Sequence, residues 1–143
     1  RRSATRGRTS ACRRRAATTS STPVLHYQDL KSGVHINGVG SFQPSMQEID
    51  SETIKNALVF VDSRESALSE TGDLTIPIQE GIIGKNHLRA EIGELLENPS
   101  LGRNTPDDIT FFKSCGVAVQ DVVAAGMALE QAKKHNLGRI IRM

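Results

Sequence analysis

The chain is expected to fold as an α/β protein, with a parallel sheet flanked by helices and a long helix at its C-terminal end. Three observations predict this: apolar strand-like runs alternate with helical patterns, a glycine-rich turn follows one of the strands, and an amphipathic run closes the sequence. The glycine turn lies within G-V-H-I-N-G-V-G-S-F-Q-P-S-M-Q-E-I, from Gly33 to Ile49. Val34, Ile36 and Val39 give it strand character, and Gly38 and Gly40 leave no side chain between the backbone and whatever lies beyond. Gly33 suits a left-handed helix cap and Pro44 suits entry into a helix, so the unit reads helix, strand, glycine loop, helix. In α/β folds such loops carry ligands.

The remaining elements follow in order. Met46 to Ala57 is expected as a helix, Leu58 to Val61 as a short buried strand and Arg64 to Ser69 as a helical turn. Gly72 to Gly84, which contains Pro77, is expected to be irregular. Leu88 to Glu97 places Leu88, Ile92, Leu95 and Leu96 at helical spacing and stops before Pro99. Thr105, Pro106 and Asp108 make a short helical start ahead of Ile109 to Phe112. Val117 to His135 is the longest regular element, with Val119, Val122, Val123, Gly126, Leu129 and Ala132 as an apolar stripe. Lys133, Lys134 and His135 suit the negative end of its dipole.

Residues 1–15 are a different kind of sequence, with seven arginines, no acidic residue and no large apolar side chain. They are expected to form a tail outside the core. Without those seven charges the net +2 becomes −5, so the basic character belongs to the tail and gives no reason to expect nucleic-acid binding. A transit peptide, a basic arm and a translation artefact are three readings of this tail, of which the artefact is favoured. Cys12 and Cys115 supply neither a disulfide framework nor a zinc cluster, which points to a reduced compartment. No apolar run approaches the roughly 20 residues that span a bilayer. The four histidines show no ligand spacing, so no metal site is expected. His35, on the strand face opposite Val34 and Ile36, is expected to pack through hydrogen bonds beside Asn37 rather than to act as an acid or base.

Four stretches together resemble the ornithine cyclodeaminase and mu-crystallin family. Val34 to Gly40, with Pro44 and Glu48-Ile49, looks like its H-I-N-x-V-G strand with the following Pro and E-I pair. Thr18 to Val24 resembles its T-x-S-x-x-P-V loop. Val61-Asp62-Ser63 with Glu65, then Thr71-Gly72-Asp73, is similar to its V-D-S-x-E and S-G-D elements. Thr110 to Asp121 is similar to its T-x-F-K-S-x-G-x-A-x-x-D. The resemblance runs from Ala16 to Met143 and corresponds only to the C-terminal portion of the family's longer chain. No G-x-G-x-x-G phosphate loop is present.

The resemblance implies a partial Rossmann-like parallel sheet. Residues 16–108 would be the C-terminal half of an NAD(P)-binding domain. Residues 109–143 would be a strand or turn and a long helix that packs on the family's N-terminal domain; in its absence, apolar surface should be exposed. The cofactor is expected to be NAD or NADP. It would be bound by hydroxyls of Thr18, Thr19, Ser20 and Ser21, by the backbone of Val39, Gly40 and Ser41, and by Lys113 and Ser114. The residues alone also allow Thr18 to Ser21 to be a simple turn and cap cluster. Glu70 and Asp73 are candidate substrate-binding carboxylates at the site's edge, with a solvated turn as the alternative.

No catalytic residue is assigned, because the family's substrate-holding arginine and lysine belong to its first half. Family members that cyclise ornithine carry an Asp where this chain has Phe42. The resemblance therefore points to reduction of a cyclic imino acid, such as a ketimine or pyrroline carboxylate, in the cytoplasm, or in mitochondria if the tail is a transit peptide. A mu-crystallin-like protein that holds a small ligand without turnover, or an inactive gene product, is the alternative. The family forms homodimers through a domain with no counterpart here.

Overall fold

The computed structural model describes residues 13–16, 20–139 and 141. Its centre is a five-stranded, wholly parallel sheet, formed by β1 (Arg13–Ala16), β2 (His35–Gly38), β3 (Leu58–Val61), β4 (Leu88–Glu91) and β5 (Thr110–Lys113). The strand order is β1-β2-β5-β3-β4. Five helices accompany it among the described residues: α1 (Ser51–Asn56), α2 (Arg64–Glu70), α3 (Gly72–Gln79), α4 (Ile92–Glu97) and α5 (Ala118–Lys134). The predicted α/β class with a parallel sheet and a long last helix is the observed one.

The sheet alternates as strand geometry requires. Ile36, Val59, Val61 and Phe111 point to one face, where Ile49, Ile54, Ala67 and Leu74 complete a buried core. His35, Asn37, Phe60, Thr110 and Phe112 line a cavity of about 320 Å³ on the other face, together with Ile92, Leu95 and Arg103. β3 is apolar throughout because a central parallel strand is covered on both faces. It occupies the predicted residues, 58–61.

Several boundaries differ from expectation, each for a local reason. β1 starts inside the segment 1–15 read as a tail. Parallel pairing to β2 is a backbone matter, and an edge strand accepts charged residue types. β5, expected beyond a boundary at 108/109, is the middle strand of the sheet. Gly33 is left-handed, with φ of +73°, but follows a 3-10 turn at Tyr27–Asp29 rather than a helix.

The helix predicted from Met46 begins only at Ser51, capped by Asp50. Before it, the amides of Glu48 and Ile49 donate to Asp73, and the Glu48 carbonyl accepts from Val24 and Leu25, so the backbone there is committed to long-range bonds. Gly72–Gln79, predicted irregular, is helical. Pro77 removes one intrahelical donor, and the first turn is held by the Leu74 and Thr75 amides donating to the Thr71 carbonyl. Leu88–Glu91, predicted as the first part of a helix, is β4. Leu88 and Ala90 are buried and Arg89 is exposed, a period of two, and Glu91 then caps α4 through a capping box with Glu94. Thr105 to Asp108 is a turn in which the Asp108 carboxylate accepts the Asn104 and Thr105 amides.

Candidate functional site

Ala16, Gly38, Lys113 and Val61 stand side by side in one register row at the carboxyl edge of the sheet. The segments that follow β2, β3 and β5 therefore leave the same edge next to one another, which is where open α/β sheets place ligands. Thr18 and Thr19 lie outside the described residues. The Ser20 hydroxyl donates to the Thr22 carbonyl at 2.7 Å and accepts the Thr22 amide at 3.2 Å, a local serine turn, and Ser21 is exposed.

The glycine loop is fixed from behind. One oxygen of Glu48, a side chain with no exposed surface, accepts the amides of Gly40 and Ser41, each at 2.9 Å. The Ser41 hydroxyl donates to the Met46 carbonyl at 2.7 Å and lies 2.8 Å from the Thr71 hydroxyl. Ser41 thus turns its side chain inward, and Val39 and Phe42 present theirs to solvent.

The loop after β5 is fixed in the same manner by Asp62. Its Oδ2 accepts the Ser114 hydroxyl and the Cys115 amide at 2.9 Å, and the Gly116 amide at 2.8 Å. Ser114 also donates its amide to the Gly38 carbonyl at 3.0 Å, which ties the two loops together. Burial, with Asp62 beside it, pushes the Cys115 thiol up to about 11.

Lys113 and Asp73 are brought together in the interior, neither with exposed side-chain surface, with Nζ 3.4 Å from Oδ2. Both side chains are thus fully buried. Burial raises the Asp73 carboxyl, opposed by the Lys113 charge and by the Ile49 and Glu48 amides. Glu70 is exposed at the end of α2. His35 lies 2.8 Å from the Thr110 hydroxyl and 3.3 Å from Asn37 Oδ1, on the cavity face, as a hydrogen-bonded packing residue would.

Sequence reasoning missed Glu48 and Asp62 as the organisers of the two loops. Asp62 had a signal, since it directly follows a buried strand at the ligand edge. Glu48 is marked only by the resemblance, as the first residue of the E-I pair, because its role depends on an unpredicted fold of the segment before α1.

The model of the Ornithine cyclodeaminase/mu-crystallin family matches residues 15–136, nearly the whole chain. The chain belongs to this family. A Delta(1)-pyrroline-2-carboxylate reductase of Bacillus cereus is 46% identical over 125 residues, covering 87% of this chain and 38% of the relative. The ketimine reductase mu-crystallin of Macropus fuliginosus is 37% identical over 113 residues, covering 79% and 33%. Among solved structures, the Delta(1)-pyrroline-2-carboxylate reductase of Thermococcus litoralis, in complex with NADH and L-proline, superposes with a TM-score of 0.84 at 38% identity. That match covers 90% of this chain and 40% of the other. The chain thus spans about two-fifths of the length of these relatives. Among the described residues no cluster of metal-ligating side chains occurs and no helix is long and apolar enough to cross a membrane.

Proposed function

We propose that this chain supplies the nicotinamide-side wall of an NAD(P)-dependent reductase acting on a cyclic imino acid, a ketimine or pyrroline carboxylate. The observation that carries this reading is the register row Ala16–Gly38–Lys113, which sets the ends of β1, β2 and β5 side by side at the carboxyl edge. In this reading Val39, exposed beside the backbone of Gly40 and Ser41, offers an apolar platform for the ring face. The amides of Gly40 and Ser41 are already taken by Glu48, so contact there is by carbonyl groups and by shape. The hydroxyls of Thr18, Thr19, Ser20 and Ser21 would bond the ribose or phosphate, and the backbone at Ser114 would meet the ring's amide. Glu70 sits at the rim, where it meets substrate, and Lys113 and Asp73 serve from behind the wall.

These residues fit the nicotinamide half of the cofactor; no G-x-G-x-x-G loop for the pyrophosphate occurs in the sequence. When bound, the reduced nicotinamide would supply a hydride to the carbon of the protonated imine, so that C=NH⁺ becomes CH–NH and the nicotinamide is left oxidised. The residues here position the ring and keep one side of it dry. Phe42, in place of the carboxylate that handles the amine in the cyclising members, favours imine reduction over deaminating cyclisation.

Calorimetry of NADH and NADPH against the purified chain, after circular dichroism has established folding, tests the reading. Saturable binding, followed by turnover of pyrroline-2-carboxylate once the length found in relatives is supplied, is the expected result. A folded chain that binds neither nucleotide overturns the cofactor wall, and binding without turnover in the lengthened protein favours a ligand-holding role.

A further inference from the structure

We propose that Asp73 is a positioning residue for the glycine loop: its carboxylate holds the Glu48 backbone, so that the Glu48 side chain fixes the Gly40 and Ser41 amides. The consequence for cofactor binding rests on the nicotinamide reading above; the positioning itself does not.

The chain of contacts is continuous. Lys113 ends β5, in register with Gly38 at the end of β2. Its Nζ stands 3.4 Å from Asp73 Oδ2, and neither atom has a hydrogen-bond partner among the described residues, so the two are held as a buried charge pair and not as an aligned bond. The other oxygen, Asp73 Oδ1, accepts the Glu48 amide at 2.7 Å and the Ile49 amide at 3.1 Å. Glu48 then reaches back to the loop, accepting Gly40 and Ser41 at 2.9 Å. Asp73, Glu48, Ser41 and Lys113 are all buried, so water does not compete for these bonds.

A buried ion pair is weak evidence for stability, because a well-packed apolar pair of similar volume is often as good or better. Geometry gives Asp73 a different use. Its Oδ1 accepts the Glu48 and Ile49 amides together, and those amides belong to the segment that fails to become helix. Lys113 keeps the carboxylate turned towards them. Loss of that acceptor frees the segment 46–49, and with it the carboxylate that locks the loop.

The test is amide hydrogen exchange on the full chain, read at Gly40 and Ser41 and compared with Val59 and Val61 in β3. In Asp73→Leu with Lys113→Met the core keeps its volume but loses the acceptor. Exchange at Gly40 and Ser41 is expected to quicken about tenfold or more while β3 is unchanged. Asp73→Asn with Lys113→Met restores an acceptor oxygen without charge and is expected to return the loop to near its original rate. Glu48→Leu, which leaves Asp73 intact but removes the acceptor of the loop amides, is expected to quicken Gly40 and Ser41 alone.

Unchanged exchange at Gly40 and Ser41 in the Leu/Met variant overturns the proposal. So does equal acceleration of β3, or failure of that variant to fold, since either assigns the pair to the core. NADH affinity is measured on the same variants. A loosened loop with unaltered affinity leaves the positioning role standing and removes the cofactor reading.

Discussion

Gly38 faces the ring of Phe111 at a distance that leaves no room for a methyl group: a Cβ on Gly38 would lie 2.7 Å from Phe111 Cε2 and 2.9 Å from Cζ. The ring belongs to the neighbouring strand and is fully buried. Gly38→Ala is expected to cost about 1–3 kcal/mol by overpacking. Phe111→Leu in the same chain is expected to recover part of it, giving a favourable coupling in a double-mutant cycle measured by urea unfolding. Additive effects would show that the ring moves aside freely.

Asp62 is the acceptor for three groups of the loop after β5, two of them amides. Asp62→Ala leaves all three without that acceptor and is expected to cost about 2–4 kcal/mol, since hydrogen bonds to a charged group are the stronger kind. Asp62→Asn keeps one acceptor oxygen and is expected to lose less. Thermal melting gives the stability change. If the loop adjoins the nicotinamide, calorimetry with NADH will show weaker binding in Asp62→Asn even where the melt is little altered.

Elements legible in the sequence were those whose signal was local. Leu58 to Val61 is an unbroken apolar run between Ala57 and Asp62, so its strand was read to the residue. α5 was read because nineteen consecutive residues, 117–135, show one period with a glycine beyond the end. The errors arose where distant partners decide. Glu48 and Ile49 have helical neighbours in sequence but give their amides to Asp73, which is 25 and 24 residues away. Leu88 fits a helical spacing with Ile92, Leu95 and Leu96 as well as a strand period with Ala90, and pairing with β3 chose the strand. In the site, both loops were visible as glycine and Lys-Ser motifs. Their buried carboxylate supports were not, because nothing in composition or spacing marks a side chain that serves backbone amides from behind.

Cys115 is expected to be a slow nucleophile. Its thiol is pushed up to about 11 by burial first and by the Asp62 charge second, so the thiolate is scarce at neutral pH. In a Cys12→Ser background, iodoacetamide should react slowly at pH 7 and faster by about tenfold per pH unit until the thiol titrates. The linkage has a definite sign. The folded value exceeds the ordinary 9.0, so unfolding releases a proton more readily above that pH, and stability falls as pH rises from 9 towards 11. Cys115→Ala should remove this part of the alkaline loss; an identical pH profile in Cys115→Ala would locate the loss elsewhere.

The last helix makes a contrasting prediction, since α5 has no buried residue along its 17 positions. Val119, Val122, Val123, Met127 and Leu129 are each at least 55% exposed, an apolar face with nothing against it among the described residues. Substituting Val122→Glu together with Leu129→Lys is therefore expected to leave the unfolding free energy within about 0.5 kcal/mol of the starting chain. The same double variant should bind less of a hydrophobic dye and stay monodisperse at higher concentration in light scattering. By comparison, Ile54→Ala, in the fully buried core beneath the sheet, is expected to cost about 2–5 kcal/mol. A large loss of stability in the α5 variant would mean that this face is covered by the chain itself in solution.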